Sequence, residues 1–572
     1  GGLNVAASLN TGTGESKTDG MAIAGGLGGK GGTGANAGNV NLTSNGDVLV
    51  NTLVAVDSGT GEVTLSGIEF ADSAPGVVAQ SIGGGGGAGG MNVTGAIAPR
   101  GSPIAIGIGG TGGVGGDAGS VTVVRGYTAG VDGETDTPGT ITTFGNGSTG
   151  LAAQSIGGGG GNAGMNFVFA ATLQGEDSNN VAGILAVGGD GSAAGNGGDV
   201  GVRHNGNILT DGDASAGILA QSIAGGGGNA NFNVGLGLVR NATAMTVAIG
   251  GGSGDGGTSG NVTVDHTGYI ETQGDQSNGI TAQSLAGGGG NAAMNMAPAL
   301  LAKNKLQIGI GREGGTGGIA GNVLVNTAGA INTNGMDSSG VLAQSIGGAG
   351  GSSGSISISG SGRSGSGDNA QSFGASFALG LEGGAGGKSG TVTVVNQADI
   401  GTKDDRSRGI VAQSIGGEGG MGGGVTNIIF RDAGALAMAI GGSGGAGAVA
   451  DNVSVSNDSL ILTLGDDSDG ILAQSLGGGG GAGGQAMTLD LESSMPSSNK
   501  ASTTVTVAVG GQGGGGAISG DVSAANTGII ATTGDRSFGI RAQAIGGGGG
   551  VGGAVVGAHV EINGTNSSLD IN

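Results

Sequence analysis

One short tract recurs eight times along the chain, and this recurrence limits the fold more than any other feature. The tract is a glycine, an aliphatic residue, a variable residue, then Ala-Gln-Ser-Ile or a close variant, and then a run of glycines. The copies occupy residues 76–87, 150–161, 217–228, 279–290, 340–351, 409–420, 470–481 and 539–550. Their central glutamines are 61 to 74 residues apart. Repetition at such a period predicts a stacked array in which each repeat packs on its neighbours, so we expect residues 1–572 to form a single elongated repeat domain.

Composition favours a thin aliphatic core. The chain has 149 glycines but only 6 prolines, which excludes a collagen helix. Aromatic residues make up 2%, so a core must be lined by Ile, Val, Leu and Ala. Hydrophobic residues at 36% and charged residues at 10% argue against a disordered chain.

Charge and cysteine content exclude several classes of function. The net charge is −23, and the 18 lysines and arginines form no basic stripe, so we expect no nucleic-acid partner. The acidic residues are scattered, which predicts a solvated acidic surface. There is no cysteine, which excludes disulfides and thiolate metal sites.

Residues with catalytic or metal-binding chemistry form no recognisable motif. The three histidines are isolated, and His204 and His266 occupy equivalent positions of neighbouring repeats, which indicates divergence of a repeat. Asp-rich turns such as 465–470 favour at most weak binding of Ca²⁺, because the nonapeptide of calcium-loaded β-rolls does not recur. We therefore expect no catalytic residue, no dedicated metal site, no other cofactor and no enzymatic activity.

Alternation within each repeat predicts β-strands. A Val-x-Val stretch such as 262–264 is followed by a polar turn, a short strand, a second turn and the Ala-Gln-Ser-Ile strand. Three short strands separated by tight turns are typical of one coil of a parallel β-helix, an all-β fold. A second glycine run follows an aliphatic tract later in each repeat. We therefore expect about two to three coils per repeat and a rod roughly 75–115 Å long.

The aliphatic residue after the first glycine of each tract is predicted to face the core. These residues are Val77, Leu151, Ile218, Ile280, Val341, Ile410, Ile471 and Ile540. Strict alternation turns the glutamine of the same strand outward, although it is the same in all eight copies. We predict that its amide is structural and satisfies neighbouring backbone groups. The glutamines are Gln80, Gln154, Gln221, Gln283, Gln344, Gln413, Gln474 and Gln543.

The glycine runs have two interpretations. They are either turning connections between strands or segments of polyglycine-II, a helix with three residues per turn that needs neighbours for its hydrogen bonds. Residues 25–32 and 109–116 have the three-residue glycine period that the second interpretation requires. Both ends of the sequence stop partway through a repeat, which predicts that residues 1–572 are part of a longer array.

The tract resembles the glycine-rich repeats in the passenger regions of large bacterial autotransporters and related surface adhesins. The resemblance extends over nearly the whole chain because every repeat carries the tract. It implies a right-handed parallel β-helix, secretion through an outer membrane and an extracellular or cell-surface location. It transfers no catalytic residue to this sequence.

These features predict a structural role. We expect an extracellular rod or fibre that acts in bacterial surface adhesion, cell–cell contact or a biofilm matrix. Its partners would be further copies of the chain or other matrix components, with an outer membrane reached only through other parts of a longer chain. The alternative is an adhesin module that recognises carbohydrate or a host surface through the variable stretches between repeats, such as 291–304 and 482–502.

Overall fold

The computed structural model describes a purely β-stranded protein. It covers residues 2–10, 20–56, 63–68, 71–130, 133–172, 180–240, 242–362, 373–431, 434–494, 504–563 and 567–571. Within these ranges no helix is long and apolar enough to cross a membrane. Four long sheets, built from stacked parallel strands, run along the stack. This confirms the predicted all-β parallel solenoid.

The four sheets are named here after a residue type that recurs in each. The Gln sheet contains Val77–Ile82, Leu151–Ile156, Ile218–Ile223, Ile280–Leu285, Val341–Ile346, Ile410–Ile415, Ile471–Leu476 and Ile540–Ile545. The Val sheet contains Val40–Ser44, Val48–Leu49, Val121–Arg125, Gly139–Phe144, Val200–Asp211, Val262–Thr272, Val323–Thr333, Val392–Thr402, Val453–Asn457, Ile461–Thr463, Val522–Asn526 and Ile530–Thr532.

The other two sheets form the opposite end of each coil. The Ala sheet contains Gly20–Leu27, Gly101–Ile108, Val181–Val187, Thr243–Ile249, Asn304–Ile310, Gly374–Leu379, Ala435–Ile440 and Thr504–Val509. The Asn sheet contains Leu3–Leu9, Met91–Ile97, Asn166–Thr172, Asn233–Val239, Asn295–Met296, Ala299–Ala302, Ile356–Gly362, Val425–Arg431, Ala486–Ser494, Val555–Asn563 and the antiparallel Ser567–Ile571. Two antiparallel hairpins, Thr52–Val56 with Val63–Ile68 and Tyr127–Gly130 with Gly133–Asp136, stand apart from these sheets.

Each repeat forms one coil, which corrects the expectation of two or three. Gln80 pairs with Gln154, and every later strand of the Gln sheet likewise pairs with its equivalent one repeat away. The chain passes from the Gln sheet through a glycine segment to the Asn sheet. It then returns through the Ala sheet and a second glycine segment to the Val sheet. Eight coils therefore stack to a height of only about 40 Å, because the glycine segments lengthen each coil and do not add new ones.

Two separate cores lie at the two ends of this elongated cross-section. The first lies between the Val and Gln sheets and is lined by Val, Ile and Ala side chains, among them Val262, Ile270 and Ile280, all fully buried. The second lies between the Asn and Ala sheets and consists mostly of alanine, with a few Ile and Val residues. Because alanine is small, this second core brings its two sheets close together.

The glycine segments between the two cores form two antiparallel layers with a three-residue period. The Gly86 amide donates to the Gly159 carbonyl of the next coil at 2.8 Å, and the Gly87 amide donates across the layers to Gly32 at 2.7 Å. The third residue of each triplet, such as Gly85, faces outward. No described glycine of these segments has a left-handed φ. Stacking of the repeats thus supplies the neighbours that polyglycine-II requires.

Most of the variation in repeat length falls between the Asn-sheet strand and the Ala-sheet strand of each repeat. The described strand ends that these connections join lie at the end of the cross-section that is distant from the Val and Gln sheets. The longest spacing between glutamines, from Gln80 to Gln154, has another cause. In that repeat the hairpin Tyr127–Gly130 with Gly133–Asp136 is inserted in the chain between two strands of the Val sheet. The stretches after the glycine runs therefore cause only part of the variation in repeat length. Part of the stretch 482–502 lies outside the described residues.

Candidate functional surface

The eight glutamines come together in one continuous ladder on the outer side of the Gln sheet. The Gln80 Nε2 atom donates to the Gln154 Oε1 atom at 2.6 Å. Six further bonds of 2.6–2.7 Å continue the ladder to Gln543. The amide partner is thus the next glutamine side chain, in place of the backbone groups that we predicted. In-register stacking explains why each coil carries the same residue, since an amide can both donate and accept along the stack.

The strand keeps strict alternation through this ladder. Of the predicted core-facing residues, Val77, Leu151, Ile218, Ile280, Val341, Ile410 and Ile471 are buried. Ile540 is 43% exposed, because its strand is the edge of the Gln sheet. The isoleucine after the serine points outward, and Ile82 is 56% exposed. The strand therefore does not bend at the glutamine.

The serine that follows the glutamine in seven of the eight tracts has a role that was not predicted from the sequence. Ser155 is fully buried, and its hydroxyl donates to the Gly119 carbonyl at 2.8 Å. The same oxygen accepts a hydrogen bond from the Gly198 amide of the next coil at 2.7 Å. One hydroxyl thereby joins two coils where the second glycine segment enters the Val sheet. A serine in seven of the eight copies, within alternating apolar residues, was the signal for this role.

Asparagine and acidic side chains form further ladders. Buried Asn92, Asn166, Asn233 and Asn295 bond to one another in the Asn sheet at 2.8–2.9 Å. In the turn before the Gln sheet, the Asp213 carboxylate accepts the Asp275 amide of the next coil at 2.9 Å. Many carboxylates that we expected to be solvated surface groups therefore also hold successive coils in register.

The Asp-rich turn 465–470 is engaged by protein groups. The Asp466 carboxylate accepts the Asp535 amide at 2.7 Å, Asp467 pairs with Arg536 at 2.6 Å, and buried Asp469 pairs with Arg541. The described residues contain no group of three or more His, Cys, Asp or Glu side chains that could hold a metal ion. These carboxylates satisfy backbone amides and arginines.

A buried polar column runs through the Val sheet. His204 and His266 stack with ring centroids 5.2 Å apart, and their Nδ1 atoms are 3.1 Å apart. Burial lowers the pKa of His204 to about 3, assisted by the nearby positive charges of His266 and Arg125. Burial also lowers the pKa of His266 to about 4. Both rings are therefore neutral at pH 7, and further along the column Asn396 takes the equivalent place.

The third histidine is separate from this pair. The His559 Nδ1 atom lies 3.1 Å from the Asp490 carboxylate, between the last two parallel strands of the Asn sheet. The three histidines thus lie in two different sheets, at opposite ends of the coil.

The Ala sheet has a largely apolar outer face, here called the Ala-sheet outer face, whose polar residues Ser102, Thr243 and Asn304 lie at the amino ends of their strands. Its strands place three columns of residues on the side away from the Asn sheet. The columns are Ile23, Ile104, Gly183, Met245, Leu306, Ala375, Leu436 and Val505; Gly25, Ile106, Leu185, Val247, Ile308, Phe377, Met438 and Val507; and Leu27, Ile108, Val187, Ile249, Ile310, Leu379, Ile440 and Val509. The outer side of the Val sheet carries polar residues such as Thr263, Asp265 and Asn326.

Comparisons with family models, with curated proteins and with solved structures find no match to this chain. The function is therefore argued from the ladders, the glycine layers and the outer faces alone.

Proposed function

We propose that the chain is a structural module of a bacterial cell surface or extracellular matrix. In this role it would be a rigid scaffold that spaces or joins surfaces in adhesion, cell–cell contact or a biofilm. The observation that carries the proposal is the glutamine ladder, which passes through all eight coils without a break. A ladder in which every coil has the same role suits a protein whose function belongs to the whole stack and not to any one coil.

The contacts between coils support a load-bearing role. Besides the glutamines, the serine hydroxyls and the acidic turn residues link each coil to the next. Between the glycine layers, hydrogen bonds zigzag from Gly254 to Gly290, Gly315 and Gly351 along the stack. A backbone that is hydrogen-bonded in this way is a poor substrate for proteases, because a segment must leave the stack before it can be cleaved. Protease resistance is useful outside a cell.

A deletion of one whole coil tests the proposal. Removing residues 284–344 joins Gln283 to Ser345 and preserves register, since Gln283 pairs with Gln344. Removing residues 284–343 leaves one extra residue, which shifts alternation and turns core side chains outward. Both variants would be displayed on a non-aggregating bacterial strain, and cell–cell aggregation would be measured beside the parent chain.

A scaffold role predicts that the parent and the whole-coil deletion both aggregate cells, whereas the register-shifted deletion does not. Lack of aggregation by the parent chain, or equal aggregation by the register-shifted variant, contradicts the role. Circular dichroism of the purified variants would establish which of them keeps the β-fold.

A second candidate function is recognition of carbohydrate or a host surface. It is favoured by one observation, that the connections from the Asn sheet to the Ala sheet vary in length and join described strand ends along the same edge. Loops of different length on one edge of a solenoid are a common place for binding. The test is to replace the connection 363–372 by the short connection at residue 303. If recognition is the function, this variant should lose binding to a glycan array. If the scaffold role is correct, cell aggregation should be unchanged.

A further inference from the structure

The Ala-sheet outer face reverses the usual distribution of large and small side chains. The inward positions of its strands hold alanines such as Ala244 and Ala248, which are fully buried. The larger Ile, Leu, Met and Val side chains are on the outside, where Ile106 is 39% exposed and Met245 is 44% exposed. Among the described strands, only those of the Asn sheet pack on the Ala sheet, and they cover its inner side.

The size of this face matches one half of a stable protein interface. Eight strands about 4.8 Å apart, each presenting six residues at about 3.3 Å rise, give an area of roughly 750 Å². A specific interface buries about 800 Å² on each partner. The largest apolar patch of an ordinary monomer covers about 300–600 Å² and is often a binding site.

The apolar character and the geometry of this face favour a second copy of this chain as the partner. None of the 24 positions in the three columns is polar or charged, and the outward Ser102, Thr243 and Asn304 lie beside them at the amino ends of their strands. Lys305 of the same sheet points inward, where its ammonium donates to the Phe430 carbonyl. The net charge of −23 disfavours adsorption to an anionic bilayer. The side chains form parallel columns that are two residues, or about 6.6 Å, apart along each strand, so the ridges of one copy fit the grooves of another.

We propose that two copies of the chain pack through their Ala-sheet outer faces about a two-fold axis. Identical faces meet in such an isologous dimer, and two sheets pack face to face with their strands nearly aligned. The outer side of the Asn sheet suits this packing less well, because Ser357, Ser359 and Ser361 cross it. This dimer would be the self-association within the proposed scaffold role, but its basis is the Ala-sheet outer face alone.

Light scattering coupled to size-exclusion chromatography tests the dimer. The full chain should have twice the single-chain mass of 52.6 kDa. The double variant Val247→Glu with Ile308→Glu places two carboxylates in the central column and should reduce the mass to that of one chain. The control Ala193→Glu with Ala385→Glu adds the same charge at exposed outward positions of the second glycine segment and should remain dimeric.

A cross-linking experiment keeps the test decisive if the charged variant fails to fold. The chain has no cysteine, so Ile308→Cys and Ala385→Cys each introduce a single thiol. A short bismaleimide should join two Ile308→Cys chains and leave Ala385→Cys chains unjoined. The dimer is overturned if the parent has the mass of one chain, or if both variants cross-link equally. Neither result affects the scaffold role. A further outcome would overturn the dimer in favour of a membrane partner. In that outcome the parent chain is monomeric and sediments with phosphatidylcholine vesicles, and the Glu variant does not.

Discussion

Two adjacent glycines of the same segment should respond to alanine in opposite directions. A Cβ atom at Gly287 would approach the Gly225 carbonyl, with its carbon at 2.6 Å, and would lie 3.0 Å from the Gly257 nitrogen. At Gly288 the nearest atom would be the Ala349 carbonyl oxygen at 3.5 Å, an ordinary contact. The three-residue period of the glycine layers therefore places one position inside the lattice and the next outside it.

The magnitudes follow from these distances. Gly287→Ala forces the two layers apart, and such overpacking costs about 1–3 kcal/mol. Loss of the bonds from the Gly287 amide to Gly257 and from the Gly318 amide to the Gly287 carbonyl adds about 1 kcal/mol each. The sum is a destabilisation of about 3–5 kcal/mol. Gly288→Ala should instead stabilise by about 0.4–1 kcal/mol, because alanine restricts the unfolded chain and the φ of Gly288 is not left-handed.

Urea unfolding followed by circular dichroism measures both effects. We expect the midpoint to fall for Gly287→Ala and to rise slightly for Gly288→Ala relative to the parent chain. The sequence already contains natural precedents for the outward position, since Ala349 and Glu418 occupy it in the next two coils. If both variants lower the midpoint equally, or if Gly287→Ala leaves it unchanged, the assignment of inner and outer glycines is wrong.

Two further predictions concern buried side chains. Ile218→Asp should destabilise the fold by several kcal/mol, because an unpaired carboxylate would enter a site with 0% exposure, whereas the outward Leu219→Asp should cost far less in the same melting experiment. Equal melting curves for the two variants would contradict the inward assignment. The lowered pKa values of His204 and His266 mean that the folded state binds fewer protons than the unfolded state below pH 6.5. The contribution of the neutral histidine pair to the free energy of unfolding is therefore fully present above pH 6.5. It falls as the pH drops towards 4 and then 3. Replacing both histidines by Asn, the residue found further along the column, should reduce this fall by a few kcal/mol in unfolding experiments at pH 7 and pH 4. An identical pH dependence in the double Asn variant would show that the histidines do not titrate in this way.

Much of the local structure could be predicted from residue patterns. Alternation identified the Gln-sheet strands and the inward position of residues such as Ile218, because strand geometry sends successive side chains to opposite faces. The eightfold tract predicted a parallel stack in which equivalent residues meet. The spacing of glycines indicated polyglycine-II as one of two conformations, since only a three-residue helix uses that period.

The partner of each group depended on the tertiary structure. The prediction of two to three coils per repeat was wrong, because a glycine run can either turn the chain or continue it. The sequence also did not show that Gln283 bonds to Gln344, since an amide accepts backbone and side-chain partners equally well. The role of Ser155 could not be predicted, because it depends on three segments that are distant in the chain and meet in the folded protein.

By itself, the sequence determined that the protein is a β-repeat array and which residues of each strand share a face. Only the tertiary structure decided which of those faces are covered. Alternating Ala and Ile in the Ala sheet are both apolar, so pattern alone assigns neither to the inside. The close approach of the Asn sheet admits the small alanines and leaves the larger aliphatic side chains on the surface, because the space between two such sheets is set by packing between distant segments.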